Sequence, residues 1–305
     1  MSKTFLRLGY PKTGGTTLNR HLFGTSKNLL YLGKPFIEKD VERWTMDMCY
    51  NSSLDFSPDA FRAWFQDYRS QNDDFPIFLS HEGFLTTPTV DLQIICERIH
   101  KVFGSCHIIL TLRNQWEIIS SFYHSAGFEG RYLFINGLPS LPSFPMGLNE
   151  WVDQNMVLMT PPDIFHHKSF FSYLDFDKVI TYLKSAFGKE NVSILFFENF
   201  LADKSSYVKQ FEDILGCKFD VENFDGKHEN KTFYEGMNWK AYLDRIYHKY
   251  LGEGFIFKQN QSPIELFKSN LRKELRLKLE NYFCAANKRL QENIDTDLKS
   301  LGYPM

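Results

Sequence analysis

Residues 3–23 read Lys-Thr-Phe-Leu-Arg-Leu-Gly-Tyr-Pro-Lys-Thr-Gly-Gly-Thr-Thr-Leu-Asn-Arg-His-Leu-Phe, and they hold in order what a strand, a tight turn and a helix start require. Residues 4–10 read as a short strand, with Phe5, Leu6 and Leu8 as its apolar content. Pro11 stops the ladder because it has no N–H to donate. Gly14 and Gly15 allow a tight turn and close approach of backbone to a ligand. Thr16 and Thr17 are helix-capping residue types, and Leu18, Leu22 and Phe23 follow at helical spacing. Such a junction aims free backbone N–H groups and a positive dipole end at one point, which predicts an anion site suited to phosphate.

The loop departs from the ATP-binding pattern G-x-x-x-x-G-K-[ST]. The spacing from Gly9 to Gly14 fits that frame, but Gly15 stands where the lysine belongs. The lysine of this loop is Lys12, on the strand side of the glycines, so its ammonium meets an anion near the strand end.

Pro11-Lys12-Thr13-Gly14-Gly15-Thr16-Thr17 resembles the 5′-phosphosulfate loop of the sulfotransferases that use 3′-phosphoadenosine 5′-phosphosulfate (PAPS). A second stretch, residues 112–124 (Leu-Arg-Asn-Gln-Trp-Glu-Ile-Ile-Ser-Ser-Phe-Tyr-His), is similar to the 3′-phosphate segment of the same family. There an Arg-Asn pair ends a strand and a Ser lies eight residues after the Arg; Arg113 and Ser121 occupy those positions. An arginine fork takes a phosphate bidentately, and a serine two turns along a helix adds a hydroxyl donor. Gln115 departs from the family, which commonly has Pro there. Residues 193–201 are similar to the family's strand ending in a Glu, which gives Glu198 a structural role. Residues 227–232 fall where the family has a loop over the nucleotide, and Lys231 there is either a 3′-phosphate contact or a solvated lysine.

The resemblance implies PAPS as sulfuryl donor and adenosine 3′,5′-bisphosphate as product. Lys12, Thr13, Gly14, Gly15, Thr16, Thr17, Arg113, Ser121 and Lys231 would hold the nucleotide. Sulfuryl transfer is an in-line displacement in which negative charge grows on the oxygen bridging to the leaving nucleotide. A lysine beside that oxygen stabilises the transition state more than the ground state, the role expected of Lys12. The acceptor hydroxyl must lose a proton to a base. His81 and Glu82 both end the second strand, and the run Ser80-His81-Glu82-Gly83 aligns with the family either way. Successive strand residues face opposite sides, so one of the two faces the acceptor. An ordinary imidazole pKa near ~6.5 suits a base at neutral pH and points to His81. No metal is required. The aromatic run Phe122, Tyr123, Phe128, Tyr132 and Phe134 suits sugars and phenols alike, with core packing accounting for at least half of it; residues 175–198 look more like carbohydrate-modifying members, so the expected acceptor is a glycan or glycolipid hydroxyl.

The bulk properties set bounds on this reading. The 305 residues carry a net charge of −2, 43% hydrophobic residues and 16% aromatic ones, so nucleic acid has no global electrostatic attraction and an anion site must be made locally. Five scattered cysteines show neither a C-x-x-C pair nor a Cys/His cluster, the pattern of a reducing compartment. No apolar run approaches the roughly 20 residues of a membrane span. A strand that starts within four residues of Met1 leaves no room for a signal peptide, so a cytoplasmic location is expected.

Strand-like runs at residues 76–81, 106–112 and 192–197 alternate with helical patterns at 57–68, 87–99 (starting at Thr87-Pro88), 177–187 and 203–215. This predicts an α/β, P-loop-like three-layer fold with a central parallel sheet flanked by helices, and ligands at the carboxyl ends of the strands. Residues 24–56 carry no clear pattern. Residues 1–305 are expected to form one domain, with 125–162 a loose acceptor-side insertion and 239–301 a helical C-terminal part. Within that part Ser262, Pro263 and Glu265 signal a helix start, and Ile264, Phe267, Leu271, Leu275, Leu279 and Phe283 form one stripe. An ATP- and Mg²⁺-dependent phosphotransferase and a catalytically inactive nucleotide-binding module are the competing readings.

Overall fold

The structure is a computed structural model; it describes residues 3–86, 90–124, 134–135, 138–139, 147–157, 170–220, 224 and 270–305. The chain divides into two compact units, one of residues up to Asn114, Phe176–Glu229 and Arg289–Gly302, the other of Gln115–Asp175, Asn230–Lys288 and Tyr303–Met305.

The first unit is built on a five-stranded, wholly parallel sheet in the order β2-β3-β1-β4-β7. Its strands are β1 (Thr4–Gly9), β2 (Leu30–Tyr31), β3 (Ile77–His81), β4 (His107–Leu112) and β7 (Val192–Phe196). Every residue of β1 and β3 is buried. Such strands read as near-continuous apolar runs because helices cover both faces of a parallel sheet. The register pairs Arg7 with Ser80 on β3 and with Ile109 on β4, and Gly9 with Thr111.

After β1 the chain forms a turn and then α1 (Gly15–Leu18), which continues as a π-helical turn over Asn19–Phe23. Gly14, at φ 71°, holds the N-cap position, so Thr16 and Thr17 lie inside the helix instead of capping it. Residues 24–56 do contain regular structure, namely β2 and α2 (Lys39–Tyr50). Two strand residues are too few to show a period. Next come α3 (Asp59–Gln71), α4 (Gly83–Thr86) and α5 (Leu92–Phe103). The helix expected to start at Thr87-Pro88 starts at Leu92 instead, with Asp91 at the N-cap; residues 87–89 lie outside the described ones.

One hydrophobic cluster joins Phe5, Phe78, Ile109 and Leu195 of the sheet to Leu18, Leu22 and Phe23. It also takes in residues of α9 (Phe197–Ala202) and α10 (Lys204–Leu215). Asp203 caps α10 by accepting from the Ser206 N–H at 3.0 Å, and Gly216 ends it at φ 69°. The remaining helix of the unit, α8 (Phe176–Phe187), buries Val179, Ile180 and Leu183.

In the second unit, α6 (Gln115–Phe122), the antiparallel pair β5 (Phe134–Ile135) and β6 (Leu138–Pro139), and α7 (Leu148–Val157) are described. Phe122 stacks on Phe170 at 4.1 Å between ring centroids, and Tyr123 and Trp151 are fully buried beside them. Phe122 and Tyr123 therefore belong to the core of this unit and do not line an acceptor surface; Phe128 and Tyr132 lie outside the described residues. Helix α11 (Lys273–Gln291) buries Leu275, Leu279 and Phe283 as the stripe predicts. Residues 270–272 are not helical, however, so Leu271 lies outside that helix; the signals at Ser262 and Pro263 lie outside the described residues.

Phe23 connects the loop helix to the sheet and to α10. Its ring meets Phe78 at 4.7 Å and Phe211 at 5.0 Å, both edge-on. Phe23→Ala should lower unfolding stability by about 3–5 kcal/mol, the usual cost of emptying a phenyl site in a packed core. Urea denaturation checks this.

Candidate active site

Four strand ends of the first unit bring chemistry to one edge of the sheet. Lys12 follows β1, His81 ends β3 and Glu82 follows it, Arg113 follows β4, and Glu198 follows β7 at the start of α9.

The loop from Tyr10 to Thr17 is held from two sides. Arg113 donates from Nη1 to the Lys12 carbonyl at 2.7 Å, and its guanidinium lies over the Phe197 ring at 5.0 Å. Arg7 donates from Nη2 to the Thr13 carbonyl at 3.3 Å and to Thr13 Oγ1 at 3.2 Å. Thr13 Oγ1 in turn donates to the Tyr10 carbonyl at 2.7 Å. Within this clamp Lys12 sits at φ 67°, a left-handed conformation uncommon for a residue with a side chain. Gly14 is required twice: its φ is 71°, and a Cβ there would come within 2.6 Å of Phe197 Cε2. Gly15 has a different reason, since a Cβ would lie 3.2 Å from Arg7 Nη1. The position where an ATP loop carries its lysine thus has a guanidinium behind it.

Lys12 is half-buried, and burial pushes its pKa down; Glu82 opposes that shift and Arg113 adds to it. Lys12, Glu82 and Arg113 therefore share one electrostatic neighbourhood. The backbone N–H of Asn114 donates to Glu198 Oε1 at 2.7 Å, which ties the end of β4 to the start of α9. This is the structural role expected of Glu198.

The two base candidates differ sharply. Glu82 is exposed, whereas His81 is buried, with Phe36 and Phe84 against its ring. His81 Nδ1 accepts from the Gly83 N–H at 3.1 Å, and Cys49 Sγ lies 3.7 Å from the same nitrogen. A neutral ring accepting at Nδ1 carries its proton on Nε2. Burial, helped by the Lys34 charge, pushes the His81 pKa down to about 4.

Thr13, Gly14, Gly15, Thr16 and Thr17 are all in the loop and opening helix as the sequence suggests. Ser121 lies on α6 in the second unit, and Lys231 lies outside the described residues. Arg7 carries no motif and escapes a search for patterns. Its signal is a charge in the middle of a fully buried central strand.

An imidazole that titrates near 4 when folded and near ~6.5 when unfolded binds its proton more weakly in the native state. The resulting stability is complete above ~6.5 and is lost as pH falls towards 4, about 3 kcal/mol in all. His81→Gln should flatten this part of the curve, as urea unfolding at pH 7, 6, 5 and 4.5 would register.

No family model matches the sequence, and no curated protein matches it. Solved structures do. A sulfotransferase from Alicyclobacillus acidocaldarius is similar at a TM-score of 0.55 and 15% identity, over 99% of each chain. The sulfotransferase domain of the Synechococcus PCC 7002 olefin synthase is similar at 0.41 and 13% identity, over 92% of this chain and 94% of its own. Mouse sulfotransferase SULT7A1, solved in complex with PAP, is similar at 0.39 and 12% identity, over 99% of this chain and 87% of its own. The first match carries the assignment, and the wholly parallel five-stranded sheet flanked by helices agrees with it. The chain has the fold of the sulfotransferases.

Proposed function

We propose that this protein is a PAPS-dependent sulfotransferase acting on an acceptor hydroxyl, with a glycan or glycolipid as the first class to test. The observation that carries the reading is a loop clamped by two guanidinium groups, with Lys12, Arg113 and Glu82 at the ends of three neighbouring strands. The cationic groups suit a nucleotide with anionic ends. Lys12 and residues 13–17 would hold its 5′ end, and Arg113 its 3′-phosphate.

PAPS, when bound, supplies the sulfuryl group. Lys12 would offer its ammonium to the charge that grows on the departing oxygen, an interaction stronger in the transition state than before it. The depressed pKa of Lys12 reflects a partly dry site, where such an interaction is worth more than in water.

For the base, the geometry favours Glu82 over His81. Both nitrogens of His81 are committed, Nδ1 to the Gly83 N–H and Nε2 to its own proton. Glu82 is exposed, shares the field of Lys12, and as a carboxylate has lone pairs open to an acceptor O–H. The proton would pass from the acceptor oxygen to the Glu82 carboxylate. His81, Cys49 and Gly83 support that strand end from behind.

The founding experiment is calorimetric titration with adenosine 3′,5′-bisphosphate and, separately, Mg-ATP, followed by labelled-sulfate transfer to glycans, lipids and phenols. Binding of the bisphosphate with transfer to an acceptor is the expected result; binding of Mg-ATP alone would overturn the reading in favour of a kinase. Lys12→Ala should lower kcat by about 10²–10³-fold while changing bisphosphate affinity much less. Glu82→Gln should lower kcat by about 10²–10⁴-fold at unchanged bisphosphate affinity, and a larger loss in His81→Gln would return the base to the imidazole. Arg113→Ala should raise the Kd for the bisphosphate by about 10–100-fold, the loss of a charged hydrogen-bonding partner.

A further inference from the structure

Arg7 belongs to no motif, yet it stands in the centre of the central strand. By the two-residue alternation of a strand it shares a face with Phe5 and Gly9, and it is only 2% exposed. Its guanidinium donates from Nε to Thr111 Oγ1 at 3.1 Å, from Nη1 to Ser80 Oγ at 3.4 Å, and from Nη2 to the carbonyl and hydroxyl of Thr13. All four acceptors are neutral. Among the described residues it forms no ion pair. The groups that act on its charge are Tyr207, Tyr31 and, more weakly, the exposed Glu82. Burial pushes the Tyr207 phenol up to about 12 and raises that of Tyr31 as well, so both stay neutral.

A buried cation with no counter-ion is costly, and buried charges are normally paired. Arg7 is hydrogen-bonded inside the sheet but meets no counter-ion there among the described residues. What lies over it is the end of its own strand and the loop beyond: ideal Cβ positions at Gly9 of β1 and at Gly15 fall 3.1 and 3.2 Å from its Nη1. A trans peptide points its N–H opposite its carbonyl, so an arginine that holds the Thr13 carbonyl turns the Gly14 N–H away from itself. The same guanidinium therefore orients the loop and supplies positive charge behind it.

We propose that Arg7 is the buried counter-charge of the anion site, a positioning residue whose partner is the 5′ anionic group of the bound nucleotide. The inference rests on the sulfotransferase reading for the identity of that nucleotide. Arg7 acts through the loop and does not need to touch the ligand. In the low-dielectric interior its charge reaches across one layer of backbone with little screening.

The test separates charge from clamping. Arg7→Gln keeps hydrogen-bond donors near Thr13 and removes the charge; Arg7→Lys keeps the charge on a different head. Each is titrated calorimetrically with adenosine 3′,5′-bisphosphate and with adenosine 3′-monophosphate, which lacks the 5′ anion. The expected result is a tenfold or greater loss of bisphosphate affinity in Arg7→Gln, with the monophosphate within threefold of wild type. Arg7→Lys should retain the preference for the bisphosphate within threefold. Equal losses for both ligands, or no loss in Arg7→Gln, would overturn the proposal and leave Arg7 a structural clamp. Should Arg7→Gln not fold, Arg7→Lys decides alone: a folded lysine variant without the 5′ preference overturns the idea, and one that keeps it supports it. Wild-type protein that binds neither adenosine ligand overturns the sulfotransferase reading itself, a failure visible before any variant is made.

Discussion

Two arginines hold two consecutive carbonyls of one loop, and the candidate site depends on that restraint. Arg113 takes the carbonyl of Lys12 and Arg7 that of Thr13. Each pinned carbonyl directs the following N–H the other way, since the peptide is planar and trans. Left-handed backbone at Lys12 and Gly14 then becomes tolerable, because the surrounding bonds over-determine it. Without the restraint, a loop rich in glycine and threonine would lose its conformation to entropy.

The restraint works because the sheet is parallel. Parallel strands in a wound α/β sheet all end on one edge, so residues far apart in sequence arrive together without further design. Lys12, Glu82, Arg113 and Glu198 lie at the ends of four different strands. Register completes the arrangement: Gly9 pairs with Thr111 and Arg7 with Ser80, which places both hydroxyls within reach of one guanidinium. Aromatic packing from Phe23, Phe78 and Phe211 supports the edge from below, and Phe197 fills the space that Gly14 leaves open.

Much of this was legible in the chain. The strands at 4–9, 77–81, 107–112 and 192–196 are apolar runs with turn residues at their ends, the signature of fully buried strands. Strand β2 was not legible, because two residues have no period and Leu30–Tyr31 pairs only through its neighbour Ile77–His81. The capping residue types Thr16 and Thr17 misled, since the left-handed Gly14 takes the N-cap and moves the helix start earlier. The long terminal stripe misled too, because apolar spacing cannot register the non-helical residues 270–272. At the base, the ordinary imidazole pKa pointed to His81, and the sequence could not register the burial that lowers the pKa of that ring to about 4.

The sequence by itself determined the alternation of strands and helices, the glycine-containing turn after the first strand, and the residue types at each strand end, because these follow from local sterics and short-range periodicity. Tertiary structure alone decided which of two adjacent residues is buried and which is exposed, and it alone revealed Arg7 beneath the loop. Burial and electrostatic environment are properties of what packs around a residue, and the groups around Arg7 come from positions 13, 80 and 111. No window of sequence brings those together; only the register of neighbouring strands does.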